Sequence, residues 1–342
     1  MTIERENASA KAEVKIDHNY HELPSERAIR FYDSQTDAYR EYRRRWAENP
    51  VADVVGDFPI HLDVEATSNC NLLCTMCPRT ELIENGRFWK VEEFDFDVYK
   101  RLIDEGVPRG LASIKYNYLG EPLMNKRLAE MVRYAKDAGV IDVMLNTNAT
   151  LLTERHAREL ISAGLDKLFF SFDSPIREHY NAIRVNANYD KTLRNIRRFH
   201  EIRAEMGSEK PLTRIAMVRM KENEAEWDKF RELFEPIVDA VAFQDYLDHS
   251  NQKSDKMVVD QAETETPFCC PQLWQRMFVH PDGVVTVCCV DSARTLQMGN
   301  INQQSASEIW TGEKYRELRE MHRSGRIADI PTCANCTLAR LP

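Results

Sequence analysis

The chain has 342 residues, 43% hydrophobic and 30% charged, and carries a net charge of -9. That length supports one large domain and a smaller one around a substantial core. The negative balance excludes nucleic acid as a bulk electrostatic partner, because phosphate binding needs a basic surface. Basic runs such as Arg43-Arg44-Arg45 read as solvated helix faces. The first twenty residues lack the apolar run of a signal peptide, and no apolar stretch reaches membrane-spanning length, so no membrane partner and a cytoplasmic location are expected. Nine cysteines in a reducing compartment read as metal ligands before disulfides. Three lie near residue 70 and six after residue 268, which predicts two metal sites.

Taken in order, residues 1 to about 23 read as flexible and 24–47 as a polar helix carrying Ile29, Tyr32, Tyr39 and Trp46. This extension, set at 1–58, is expected to cap the following domain or to meet a second subunit. From residue 59 apolar runs alternate with segments of helical period. Strands are predicted at 60–65, 112–118, 142–147, 167–172, 213–219 and 239–244, and helices at 96–105, 126–138, 153–163, 190–206 and 224–235. Breaks fall at Gly106, Gly139, Gly164 and Gly207. Six such units imply an α/β domain over 59–247, a parallel sheet with right-handed crossovers curled into a six-unit partial barrel. In such barrels the chemistry sits at the carboxyl ends of the strands. Residues 248–266 are polar and read as a linker, and 267–342 form a small α+β domain.

The informative stretch is Cys70-Asn-Leu-Leu-Cys74-Thr-Met-Cys77, directly after the first strand. Three thiolates at this spacing suit three corners of a cubic iron-sulfur cluster and leave its fourth iron open to a small molecule. A zinc site wants a fourth Cys or His nearby, and the nearest histidine, His61, lies within the strand. With Pro78 and Arg79 the stretch resembles the cluster motif of radical S-adenosylmethionine (SAM) enzymes.

That resemblance extends along the chain from about residue 59 to 340. It implies a (β/α)6 partial barrel and a 4Fe-4S cluster on Cys70, Cys74 and Cys77, with SAM chelated to the open iron. Gly120-Glu121-Pro122 resembles the family's Gly-Gly-Glu-Pro, with Leu119 at the first glycine position, and implies that Gly120 and Glu121 receive the SAM amino group. Asn148 belongs to a segment similar to Thr-Asn-Gly, and Ser171 to a Ser-x-Asp segment that meets the SAM ribose. Arg184 resembles an arginine that pairs with the SAM carboxylate, a task suited to guanidinium. Met76 stands where the family often has an aromatic residue over adenine. Polar residues at strand ends also serve as turn formers and caps, which is the competing reading for Asn148 and Ser171.

Toward the C-terminus Cys270-Pro, Gly283-x4-Cys288 and Cys333-Ala-Asn-Cys336 resemble the SPASM extension of the same enzymes. With the given chain stopping at Pro342, the expectation is the abbreviated one-cluster form called twitch, a second 4Fe-4S cluster closed by Cys270, Cys288, Cys333 and Cys336. Four cysteines ending in Cys-x-x-Cys also suit structural zinc. Cys269 and Cys289 are left over, read as buried packing residues or as hydrogen-atom donors.

Together these features imply an enzyme, a radical SAM oxidoreductase that cleaves SAM to a 5'-deoxyadenosyl radical and takes a hydrogen atom from a small metabolite. The expected outcome is oxidation of a sugar or aminocyclitol alcohol to a ketone. Epimerisation of a carbohydrate and maturation of a ribosomal peptide are the alternatives, the latter disfavoured by a single auxiliary cluster and a short N-terminal extension. A non-catalytic iron-sulfur or zinc protein would need neither the Gly-Glu-Pro turn nor an open iron. Expected partners are the small-molecule substrate and a reducing donor such as flavodoxin or ferredoxin.

Overall fold

A computed structural model describes residues 20–247, 269–334 and 336. Residues 1–19 and the expected linker 248–266 lie outside the described residues. Ten strands form one sheet: β1 (Tyr20–Pro24), β2 (His61–Val64), β3 (Ser113–Tyr116), β4 (Asp142–Thr147), β5 (Lys167–Ser171), β6 (Leu212–Arg219), β7 (Ala240–Asp245), β8 (Arg276–Val279), β9 (Val284–Thr286) and β10 (Gln297–Asn300). Their order is β1-β7-β6-β5-β4-β3-β2-β8-β9-β10. The six central strands, β2 to β7, are parallel neighbours in sequence order, each joined to the next through helical segments, as the alternation predicts.

Side-chain parity explains how this sheet makes both a core and a lumen. Leu62, Val64, Ile114, Tyr116, Val143, Leu145, Leu168, Ile215 and Met217 belong to the main hydrophobic core. Residues of the opposite parity, Asp63, Lys115, Asn146, Phe169, Ser171, Arg214 and Ala216, line an internal cavity. Successive side chains on a strand point to opposite faces, so one set packs against the helices and the other faces inward. Burying each large apolar side chain on the helix face contributes roughly 1.5–3 kcal/mol, which gives the frame its rigidity.

The N-terminal extension differs from expectation. Instead of a flexible stretch to residue 23, β1 pairs antiparallel with β7, Tyr20 opposite Gln244 and Pro24 opposite Ala240. The single expected helix is two, Glu26–Asp33 and Asp37–Ala52, because Ser25 and Thr36 each cap a new start through their hydroxyls. The second helix closes the amino-terminal end of the barrel, where Tyr39, Tyr42 and Trp46 cluster with Ile60 and Ala112. Lys167 Nζ fastens it by donating to Tyr39 Oη at 2.9 Å and to Asp142 Oδ2 at 2.6 Å.

The C-terminal segment does not stand apart from the barrel sheet. Its strand β8 runs parallel to β2 on the free side, with Arg276 opposite His61 and Val279 opposite Val64. Strands β9 and β10 continue antiparallel from it. Helices Ala306–Trp310 and Glu313–Arg323 complete the segment.

Candidate active site

Beyond Val64 the chain leaves the sheet and enters the loop that carries the first three cysteines. Neighbouring backbone pins this loop: Leu73 N donates to Val185 O at 3.1 Å and Thr75 N to Ile183 O at 2.9 Å. Thr80 Oγ1 donates to Cys74 O at 2.9 Å, and the buried Arg79 Nε donates to Ser68 O at 3.1 Å. Cys77 occupies the N-cap of the helix Pro78–Glu84, where proline suits the first turn. Cys70, Cys74 and Cys77 are half-buried, and none of the nine cysteines forms a disulfide. Burial pushes the Cys70 thiol up to about 11 and the Cys74 thiol up to about 12. Bare thiolates are therefore disfavoured here, and bound iron would supply the positive charge that ionises them.

Gly120 lies directly against this loop. A Cβ at that position would fall inside van der Waals contact of the Thr67 carbonyl oxygen, so only glycine allows the two backbones to meet. Glu121 N donates to Asn69 O at 2.8 Å, tying the turn after β3 to the cysteine loop. The Glu121 carboxylate is 3% exposed and is held by protein donors. Oε1 accepts from Thr147 Oγ1 at 2.6 Å and Leu123 N at 3.1 Å, and Oε2 accepts from Asn148 N at 2.8 Å. Burial raises its pKa while these three donors oppose the rise. Asn148 is likewise engaged by protein, its Oδ1 accepting from Thr150 N at 3.0 Å and its Nδ2 donating to Asn71 Oδ1 at 3.1 Å. Glu121 and Asn148 thus brace the ends of β3 and β4 against the cysteine loop. Ala149 adopts φ 57°, the left-handed backbone that the glycine of the resembled Thr-Asn-Gly would take freely.

Inside the barrel is a cavity of about 370 Å³. Cys77, Asn146, Ser171 and Arg184 line it, so two of the residues expected to touch SAM share one space with the cluster loop. Arg184 is buried, with Nη2 2.7 Å from Asp173 Oδ2, and its Nε is buried without a hydrogen-bond partner among the described residues. Asn146 Oδ1 is buried and unpartnered in the same sense. Met76 is not among the lining residues; it packs with Ile183, Met220 and Tyr246 beside Cys74. A cysteine of the cluster loop, an arginine donor and a strand-end hydroxyl around one cavity fit SAM.

The second cysteine set gathers around a separate, mainly apolar cavity. Cys270, Cys288, Cys333 and Cys336 line it together with Leu273, Val287 and Val290. The turn between β8 and β9 is made by Gly283 at φ 82°, in the hairpin the spacing predicts. Burial raises Cys270 and Cys288 well above the usual thiol range and Cys333 to about 12. No three His, Cys, Asp or Glu side chains among the described residues converge as ligands of a single metal ion. A cubane does not require that convergence, since each thiolate binds its own iron, and four thiols around one apolar cavity fit a closed cluster. Cys269 is 1% exposed in the main core and lines neither cavity, whereas Cys289 lines the barrel lumen.

A buried polar join between the two sets was not legible from motifs. Glu65, just past β2, accepts from Leu119 N at 3.2 Å and pairs with His280 Nδ1 at 2.9 Å. Tyr118 Oη donates to Asp291 O at 3.1 Å, and the Arg294 guanidinium lies 3.5 Å over the Trp89 ring. The turn before Gly120 is thereby fixed to the segment carrying Cys288 and Cys289.

A parallel partial barrel with a three-cysteine loop at a strand end, joined to a four-cysteine cavity, is the architecture of an iron-sulfur enzyme with a central lumen. The chain belongs to the Radical SAM superfamily, whose profile matches residues 64–234, half of its length. Residues 269–337 match the SPASM iron-sulfur cluster-binding domain. Over 323 residues, 81% of this chain and 87% of the relative, it is 26% identical to the tungsten-containing aldehyde ferredoxin oxidoreductase cofactor-modifying protein of Pyrococcus furiosus. A probable GTP 3',8-cyclase of Methanococcus maripaludis is 32% identical over 139 residues, a match spanning 44% of that protein. The fold is shared with BtrN in complex with AdoMet and 2-DOIA, at 20% identity and TM-score 0.52, covering 81% of this chain and 92% of that one. It is also shared with anSMEcpe with bound AdoMet, at 17% identity and TM-score 0.56, covering 81% and 89%. Iron-sulfur and SAM sites follow from membership. Among the described residues no helix is long and apolar enough to cross a membrane.

Proposed function

We propose that the protein carries two 4Fe-4S clusters, cleaves SAM reductively and oxidises an alcohol carbon of a small carbohydrate-type metabolite to a ketone. Cys70, Cys74 and Cys77 would hold the first cluster, and Cys270, Cys288, Cys333 and Cys336 the second. When bound, SAM and the first cluster supply a hydrogen-abstracting carbon radical, and the second cluster supplies a one-electron acceptor. The chain's own contribution is placement. Arg184 and Ser171 orient SAM at the mouth, Gly120 and Glu121 hold the turn against the cysteine loop, and the walls of the partial barrel shield the lumen from bulk water.

The observation that carries the reading is that one lumen is lined both by Cys77 and by Cys289, the neighbour of Cys288. A substrate in that lumen lies between the two cysteine sets. Oxidation removes one hydrogen atom, one electron and one proton from the alcohol, the electron leaving toward the second set. Cys289 facing the lumen favours a second reading, epimerisation, in which its S–H bond returns a hydrogen atom to the opposite face of the substrate, and one electron from the external reducing donor with one proton restores the thiol from its thiyl radical.

Anaerobic reconstitution tests the proposal. About eight irons per chain and release of 5'-deoxyadenosine on reduction by dithionite or flavodoxin are expected. Replacing Cys70, Cys74 and Cys77 with Ala should remove about half the iron and all SAM cleavage. Zinc in the C-terminal set of a fully active enzyme would defeat the acceptor role.

A further inference from the structure

The lumen's charges are more specific than its shape. Asp63 on β2 is paired in register with Lys115 on β3, and Arg276 opens the strand on the other side. Arg276 Nη1 lies 3.3 Å from Asp63 Oδ2, and Lys115 Nζ lies 3.9 Å from Asp63 Oδ1. Asp63 is 1% exposed, whereas the side chains of Lys115 and Arg276 are 21% and 18% exposed. The carboxylate therefore sits beneath two cations that reach the open cavity. His61 Nε2 lies 3.4 Å from the same carboxylate, and burial lowers the pKa of its imidazole while Asp63 opposes.

One negative charge faces two positive ones, and the cations have donors to spare. Among the described residues Lys115 Nζ makes no hydrogen bond, and its ion pair with Asp63 is a loose one at 3.9 Å. Arg276 Nε is buried without a partner among the described residues. Burial pushes the Lys115 ammonium below its ordinary pKa, with Asp63 opposing. A third cation, Arg214, lines the same lumen, paired with Glu22 at 3.2 Å and stacked 3.8 Å over Phe169. An uncompensated buried positive charge is costly unless a ligand completes it. Gln272, 8% exposed, lines both this lumen and the apolar cavity of the second cysteine set, with Oε1 buried and unpartnered among the described residues.

We propose that the substrate carries an oxyanion, a carboxylate or a phosphate, held deep in the barrel by Lys115 and Arg276 while its reactive carbon faces the SAM end. The inference rests on reading the lumen as the substrate site. It replaces the aminocyclitol of the sequence expectation, because a cationic amine would meet two like charges. Arg276 opens β8, and its guanidinium is 4.8 Å over the Trp46 ring at the amino-terminal end of the barrel. Ser171, by contrast, ends β5 at the carboxyl side. Arg276 and Ser171 therefore mark opposite ends of one cavity, with Lys115 between them along the strands.

The test is calorimetry on reconstituted, SAM-loaded full-length protein without reductant, so that binding is read apart from turnover. Probes are inorganic phosphate, malonate, gluconate, glucose 6-phosphate, glucose and glucosamine. Gluconate or glucose 6-phosphate should bind at least about tenfold more tightly than glucose, and which of the two binds better separates carboxylate from phosphate. Lys115→Gln and Arg276→Gln should each weaken anion binding about tenfold. Asp63→Asn should tighten it, an opposite sign that a folding defect cannot imitate. Failure of every anionic probe to bind, equal affinity for glucose or glucosamine, or weaker anion binding in Asp63→Asn overturns the proposal. Release of 5'-deoxyadenosine by the wild type is scored separately: its absence with anion binding intact sinks the radical reading and leaves the anion site standing.

Discussion

Cys288 and Cys289, adjacent in sequence, face two different cavities: Cys288 lines the apolar one with Cys270, Cys333 and Cys336, and Cys289 lines the barrel lumen with Asp63 and Lys115. Cys288→Ala should therefore remove about half the iron, on the order of four atoms. Cys289→Ala should leave iron content unchanged. Iron quantitation with electron paramagnetic resonance of the reduced protein checks both, and loss of iron in Cys289→Ala would exchange the two assignments.

Glu121 joins two strand ends to the cysteine loop, which changes what its removal should do. Glu121→Ala leaves the Thr147 hydroxyl and the Leu123 and Asn148 amides without their acceptor in a site that is 3% exposed. A loss of about 3 kcal/mol is expected from stranded buried donors. Thermal unfolding of the reconstituted variant should show a lowered Tm, and SAM affinity should fall with it because the loop is displaced. An unchanged Tm with weakened SAM binding would return Glu121 to direct ligand contact.

Much of this architecture was legible because period and spacing are local signals. The six barrel strands and the two cysteine sets follow from runs such as Leu168 to Phe170 and from Cys70, Cys74 and Cys77. What escaped depends on partners far apart in sequence. Tyr20–Pro24 is too polar to read as a strand, yet its backbone completes the edge of β7. Arg276 carries no motif, and only the parallel pairing of β8 with β2 brings it beside Asp63. Glu121 and Asn148 have the right residue types for ligand contacts, but carboxylate and amide groups also satisfy backbone donors, and residue type alone did not reveal that bracing role. One signal was available: Asp63, Lys115 and Arg214 each interrupt a buried apolar strand at alternate parity, the mark of a polar lumen.

The first N-terminal helix, Glu26–Asp33, is fastened to the barrel through Asp239. Its carboxylate accepts from Arg203 Nη1 at 2.7 Å, Thr213 N at 2.7 Å and Thr213 Oγ1 at 2.7 Å, and it pairs with Arg27. Burial alone would raise its pKa, but the Arg203 and Thr213 donors prevail and hold it down at about 2, against 3.8 for a free side chain. A depressed carboxylate pKa stabilises the fold above the unfolded value and loses that effect as pH falls toward about 2. Asp239→Asn should thus cost about 2 kcal/mol, equally at every pH between about 5 and 8. Denaturant unfolding across that range is the check; a difference that grows with pH within it would assign the effect to another group.

Oxidation and epimerisation make opposite use of Cys289, and isotope content separates them. In the oxidation the substrate loses a hydrogen atom and then an electron and a proton, so the product is two mass units lighter and gains nothing from solvent. In the epimerisation the S–H bond of Cys289 exchanges with deuterium oxide and delivers deuterium to an inverted carbon, so the product is one unit heavier. The oxyanion-bearing sugars that bind the lumen are the substrates to use. Wild type should give the lighter product, and Cys289→Ala should still give it, because the oxidation needs no thiol. Deuterium at an inverted carbon, absent from the Cys289→Ala product, would establish the epimerase and assign the lumen thiol as its hydrogen donor.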